Sequence, residues 1–262
     1  MGLEILITND DGYTSKGINV LKNILAKYGN VTVVAPNEGQ SGMSSALTIG
    51  KPLRLREISR EKAGNGNRID TYALTGTPVD CVKMAMNRFY MHRKPDLLVS
   101  GINHGSNTSA GSVYSGTLGG CIEGTIYGVP SIGLSLDSHN PDADFSVVEK
   151  YFGTILQNYL EHPAAPGIYL NINFPAIPAE AVKGIKFAAQ GKGMWIKEFN
   201  QRKDPYGNDY FWMTGEFLDK EEDPGKGDHK LVEQGYITIV PHRVDTTDYA
   251  ELEALSAAWN IR

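Results

Sequence analysis

Several common catalytic signatures are missing from this 262-residue sequence, and each absence removes a chemistry. No Gly-x-Ser-x-Gly elbow occurs, which disfavours an α/β-hydrolase nucleophile. Without a Gly-x4-Gly-Lys-Ser/Thr loop, ATP hydrolysis through a P-loop is not expected. The dinucleotide fingerprint Gly-x-Gly-x-x-Gly does not follow the first apolar segment. The aspartyl-phosphate pattern Asp-x-Asp also fails, because the acids at 10 and 11 are adjacent and Gly12 stands where the second acid is needed. The six histidines form no metal-spaced pair, and only His104 lies in a candidate site loop, where it could assist proton transfer. Cysteine is scarce: Cys81 and Cys121, in helical-looking segments, read as small buried residues in a reducing compartment. There is no apolar run of about 18 residues and no basic, apolar, small-residue leader pattern, so the expectation is a soluble, cytosolic protein with no membrane partner. Net positive charge is absent as well. A formal charge of -5 argues against a surface that coats nucleic-acid polymers, but not against nucleotide-sized substrates.

What is present is concentrated at one junction, Leu3-Glu4-Ile5-Leu6-Ile7-Thr8-Asn9-Asp10-Asp11-Gly12. An apolar run that fits a buried strand stops at two adjacent carboxylates and a glycine. Ligands of open parallel sheets collect beyond the carboxyl ends of strands. Neighbouring negative charges repel unless a cation or proton neutralises them, and hard oxygen ligands suit Mg²⁺ or Mn²⁺. The alternative reading is a solvated turn with Asp11-Gly12 at its tip.

Along the chain, strands are predicted at Ile5 to Thr8, Val31 to Ala35, Asp70 to Leu74, Asp96 to Ser100, Ser131 to Ser135 and Tyr169 to Phe174. Short strands are also predicted at Leu47 to Ile49 and Leu53 to Leu55, and a further strand at Tyr236 to Val240. Helices are predicted over Gly17 to Lys27, Pro78 to Phe89 with Thr77 as cap, Gly116 to Tyr127 and Phe145 to Leu160. This alternation implies an α/β fold, a mostly parallel sheet covered by helices on both faces. The pattern changes after Gly184, giving three expected regions: a catalytic core over 1–184, a β-rich arm over 185–240, and a C-terminal helix within 241–262 that returns to the core or to a partner subunit. Within the arm, Asp219 to Asp228 carries five acidic residues with Gly and Pro and reads as a solvated loop.

Four segments place polar groups where strands end. They are Asn9 to Gly12, Pro36 to Ser44, Ser100 to Asn107 and Tyr114 to Gly120. Ser41 and Ser44 supply neutral oxygens, Asn103 and Asn107 supply carbonyl ligands or amide donors, and Ser115 and Thr117 stand at a predicted helix start. Unpaired N–H groups at such a start suit a phosphate. An oxygen-rich cation site beside an anion cradle is what metal-assisted phosphoester hydrolysis requires.

These segments resemble those of the SurE-type survival proteins. The likeness runs through Thr8-Asn9-Asp10-Asp11-Gly12, Val34-Ala35-Pro36 with Ser41-Gly42, and Thr75 to Val82. It continues through Pro95 to Asn107, Tyr114-Ser115-Gly116-Thr117, Asn171 to Pro175 and Asp204 to Trp212, nearly the whole chain in order. The resemblance implies a divalent-metal-dependent phosphatase acting on nucleoside 5′- and possibly 3′-monophosphates, with a Rossmann-like core. It implies one divalent metal per subunit, Mg²⁺ or Mn²⁺, held by Asp10, Asp11, Ser41 and Asn103. Asp10 and Asp11 would be the catalytic pair, and Asn9, Asn107, Ser115, Gly116 and Thr117 would surround the phosphate. It further implies a homodimer or homotetramer that exchanges the C-terminal arm. Rival readings keep the site but change the substrate to polyphosphate or a sugar phosphate, or make the chain a nucleotide-binding regulator without turnover. One departure is local: Gly191-Lys192-Gly193-Met194-Trp195 lacks the paired arginines often found there, which bears on arm contacts and not on the metal site.

Overall fold

Segments that are apolar throughout, not alternating, form the middle of the sheet because both of their faces are covered. In the computed structural model, which describes residues 2–260, Ile5, Leu6 and Ile7 of the first strand are all fully buried. Successive side chains of a strand point to opposite faces. Ile5 and Ile7 therefore join one core with Leu21 and Phe152, while Leu6 joins a second core with Val82, Leu118 and Cys121.

The central sheet has nine strands. Six of them run parallel: β1 (Leu3–Thr8), β2 (Gly29–Pro36), β4 (Arg68–Leu74), β5 (Leu97–His104), β6 (Ser131–Leu136) and β7 (Ile168–Phe174). Their spatial order is β4-β2-β1-β5-β6-β7. The chain first builds outward from β1 on one side and then crosses to β5 on the other, so the order reverses between β1 and β5. Helices α1 (Lys16–Leu25) and α4 (Ser146–Glu161) cover one face, and α2 (Pro78–Arg88) and α3 (Gly116–Ile126) cover the other. Helix α2 begins with a complete capping box: the Thr77 side chain accepts from Asp80 N–H and the Asp80 carboxylate accepts from Thr77 N–H.

The structure departs from the expected elements in four places. Leu47 to Ile49 is not a strand, because Thr48 N–H is taken by the Asp80 carboxylate and Ala46 C=O by the Thr77 hydroxyl, which lays this segment over the start of α2. The outer strand is instead β3 (Leu55–Lys62), antiparallel to β4, a charged edge whose side chains mostly face solvent. The sheet also continues past residue 184. Strand β8 (Ile185–Phe187) and strand β13 (Ile237–Arg243) complete its far side, β13 antiparallel to β7. Finally, the acidic stretch 219–228 is not uniformly solvated, since Asp228 is fully buried and opens a short helix, α5 (Asp228–Glu233).

Between β8 and α5 the chain forms a long two-part ribbon. Strand β9 (Gly193–Ile196) pairs with β12 (Glu216–Asp219), and β10 (Phe199–Lys203) pairs with β11 (Asp209–Met213). The ribbon changes direction at Lys197 and Gly215, both at positive φ. Its aromatic side chains, Phe199, Phe211 and Trp212 among them, are exposed. The last helix, α6 (Tyr249–Ala258), buries no residue. No helix among the described residues is long and apolar enough to cross a membrane.

Candidate functional site

The reversal between β1 and β5 leaves a crevice at their carboxyl ends, the expected place for a ligand in such a sheet. Asn9, Asp10 and Asp11 follow β1 directly into it. The turn that carries them closes on Asn9, whose amide Nδ2 donates to Gly12 C=O at 3.0 Å and to the Ser15 hydroxyl at 2.9 Å. Gly12 has φ +94°, a conformation that side-chain-bearing residues rarely adopt. Asn9 Oδ1 remains buried with no partner.

Asp10 is 4% exposed. The Thr117 hydroxyl donates to its Oδ1, and a Cβ at Gly116 would lie 2.8 Å from its Cβ, so α3 packs its first turn directly onto this carboxylate. Burial pushes the Asp10 carboxyl up to about 6, the Thr117 hydroxyl opposes that rise, and the charge of Asp11 adds to it. Asp11 is more open. Its Oδ2 accepts from His104 N–H at 3.1 Å and lies 3.1 Å from His104 Nδ1. The other ring nitrogen, His104 Nε2, is buried and unpartnered.

Strand β5 brings Asn103 and His104 to Asp11 by a bulge. Its register with β6 slips between Ser100 and Asn103, which re-aims the residues that follow. Asn103 Nδ2 donates to Gly105 C=O at 2.7 Å, which fixes the amide and leaves Oδ1 as its free end. The loop after β2 reaches the site through its backbone: Gln40 N–H donates to Asp10 C=O at 2.7 Å. Ser41, next along, is exposed and makes no side-chain hydrogen bond among the described residues. The loop is pinned further on, where Ser44 N–H donates to Tyr114 C=O and the Ser44 hydroxyl to Val113 C=O.

The structure therefore groups Asn9, Asp10, Asp11, Gly116 and Thr117, with Asn103 adjacent through His104. Ser115 caps α3, its Oγ accepting from Leu118 N–H at 3.1 Å, so its hydroxyl hydrogen stays free to donate. Asn107 lies deeper, in a buried amide network. Its Nδ2 donates to the Ser135 hydroxyl, its N–H to Asn173 Oδ1, and its C=O accepts from Asn171 Nδ2, each at 2.8 Å. Asn171 and Asn173 receive no role from sequence reasoning, although two amides at a spacing of two on a buried strand already mark one polar face. The contacts of His104 with Asp11 and of Gln40 with Asp10 have no sequence signal, because they depend on which loops meet.

Two hollows flank the corner. One, about 380 Å³, is lined by Asp11, Lys16, His104 and His139. The other, about 860 Å³, lies beside Ser44, Ser112 and Ser115 and includes the Tyr169 and His242 rings, stacked at 5.3 Å.

Comparisons with known proteins agree in one direction. A family model described as "Survival protein SurE" matches residues 5–197. A Cytophaga hutchinsonii protein named "5'-nucleotidase SurE" is 45% identical over 257 residues, 98% of this chain and 97% of its own length. The protein of the same name from Flavobacterium psychrophilum is 43% identical, covering 98% of this chain and 97% of its own. Among solved structures, the SurE protein of Aquifex aeolicus superimposes with a TM-score of 0.80 at 34% identity, covering 97% of this chain and 98% of that one.

Proposed function

The chain belongs to the SurE survival-protein family, and on that footing we propose that it is a 5′-nucleotidase, a divalent-metal-dependent phosphatase that converts nucleoside 5′-monophosphates to nucleoside and phosphate. The observation that carries this reading is the placement of the Asp10–Asp11 pair against the first turn of α3, a cation-demanding corner facing an anion-accepting helix start.

The donor set fits a hard cation. Two carboxylates meet, one of them buried and held above its usual range without a counter-charge. Asp10, Asp11 and Asn103 would hold the ion, with Ser41 completing the set from the loop after β2. Mg²⁺ or Mn²⁺, one per subunit, suits such oxygens. When bound, the ion lowers the pKa of a water molecule and draws charge from the phosphoryl oxygens.

The protein's own groups do the rest. The Thr117 hydroxyl fixes the Asp10 carboxylate, leaving its second oxygen to orient the attacking water and accept its proton. His104 holds Asp11 from both backbone and ring. The Ser115 hydroxyl and the N–H groups heading α3 face charge that builds on the equatorial oxygens, a role in which one well-placed donor contributes about 3 kcal/mol. Asn107 supports this floor through Ser135, Asn171 and Asn173. The 860 Å³ hollow beyond Ser115 has room for the nucleoside. The exposed aromatic ribbon supports assembly as a homodimer or homotetramer with exchanged arms.

Phosphate release from a panel of nucleoside 5′- and 3′-monophosphates, sugar phosphates and polyphosphate, with and without chelator, tests the assignment. Release from 5′-monophosphates should lead the panel and vanish with chelator. Asp10→Asn should lower turnover by at least about a hundredfold while leaving the thermal melt cooperative. Undiminished release by that variant in the presence of metal would refute the role of Asp10.

A further inference from the structure

At the opposite edge of the sheet from Asp10, the amino ends of β1 and β4 meet the end of α2 around a cavity of about 580 Å³. Arg60, Arg68, Arg88, Arg93 and Lys94 line it, against only two carboxylates, Glu4 and Asp70. Three of the cations are already paired: Arg60 with Glu57 at 2.7 Å, Arg68 with Asp70 at 2.8 Å and Arg93 with Asp96 at 3.3 Å. Arg88 and Lys94 have no carboxylate partner among the described residues. The position of Arg88 in the last turn of α2 complements the carbonyl end of that helix, but this explains neither Lys94 nor what lies beside it. Phe89 is 36% exposed and tilts against Tyr72 at 4.6 Å, presenting a ring to the cavity.

Each feature calls for part of one ligand. Unpaired cations recruit phosphate oxygens, and an open aromatic ring accepts a base. The volume is that of a small-molecule site. In a chain of formal charge -5, such a concentration of positive charge is local.

We propose that this cavity is a second binding site, remote from the Asp10 corner, for a nucleoside triphosphate, with phosphates on Arg88 and Lys94 and the base on Phe89.

ATP titrated into the full chain in excess chelator, followed by calorimetry, tests this. Because the measurement reads binding without metal, it stands or falls separately from the phosphatase assignment. The expected result is saturable binding that weakens at least about tenfold in the Arg88→Glu, Lys94→Glu double variant and severalfold in Phe89→Ser. The exposed Arg88 and Lys94 should tolerate reversal, with AMP hydrolysis in Mg²⁺ staying within about twofold of the parent. A neutral Arg88→Gln, Lys94→Gln variant should also weaken binding severalfold and keeps the test decisive if charge reversal unfolds the chain, since unchanged ATP affinity in it overturns the proposal equally. Absence of saturable binding, or binding unchanged by the double variant, overturns the proposal. Inorganic tripolyphosphate binding as tightly as ATP also overturns it, by removing any role for the ring.

Discussion

Asp10 carries a consequence that its neighbours do not. Its carboxyl sits near 6 in the folded chain because burial and Asp11 disfavour its charge, against an ordinary value of 3.8. The native state therefore binds this proton more tightly than the unfolded state does, and cation-free stability falls as pH rises from about 4 through about 6, by roughly 3 kcal/mol. Above that window the contribution is constant. Denaturant midpoints measured across it, in chelator, should show the decline in the parent chain and lack it in Asp10→Asn. Protons and a divalent cation compete for the same oxygens, so Mn²⁺ affinity should drop below about pH 6. The adjacency of the two aspartates at the end of a buried run is legible in the sequence. The commitment of the Thr117 hydroxyl to Asp10 is not, since the two lie 107 residues apart and meet only because α3 crosses the end of β1.

At the scale of elements, the root of the ribbon is joined to the site chiefly through the Asp228 carboxylate. The buried Asp228 carboxylate accepts from Ser109 N–H at 3.0 Å, Gly191 N–H at 2.9 Å and His229 N–H at 2.8 Å. Ser109 starts the 3₁₀ turn Ser109–Tyr114 that delivers Ser115 to α3, and its hydroxyl donates to Gly191 C=O at 2.8 Å. Asp228→Ala strands three buried donors and should cost at least about 2 kcal/mol, a fall in melting temperature of about 4–8 °C. It should also lower phosphate release, because the turn ahead of Ser115 loses its anchor. Parental values for both quantities would refute the anchoring role. Composition hides this element. An acidic stretch with Gly and Pro reads as loop, and nothing in the local sequence says that Asp228 turns inward while Asp219 pairs with Lys230 and the buried His229. Strand β3 is obscured for the converse reason: an edge strand with one half-exposed face needs little apolar alternation. The parallel strands are readable because burial on both faces demands uninterrupted apolar runs.

For the whole molecule, the sheet order places the Asp10 corner where the strand order reverses between β1 and β5, and the ribbon leaves the far side unpartnered. Phe199, Phe211 and Met213 share one face of β10 and β11, since Phe199 stands opposite Met213 and Phe211 lies two residues before it. All three are exposed in the single chain. Replacing Phe211 and Met213 with Glu should shift the mass measured by light scattering toward the monomer without lowering the stability of the central sheet. An unchanged mass would show that assembly does not use this face. The sequence marks the region as aromatic and β-prone, but where the sheet ends and the ribbon begins depends on β8 and β13 pairing across about 50 residues, a closure no local pattern encodes.

Gly119 is missing a side chain where Ser44 C=O approaches, and a Cβ there would come within 2.1 Å of that oxygen. The strip of chain bearing Ser41 and the head of α3 are thus a lock and its plate. Grafting that strip from a relative would import misfit unless residues 114–119 travelled with it. Inherited variation at these two stretches should accordingly come in matched sets, and an engineer who recuts one must recut the other.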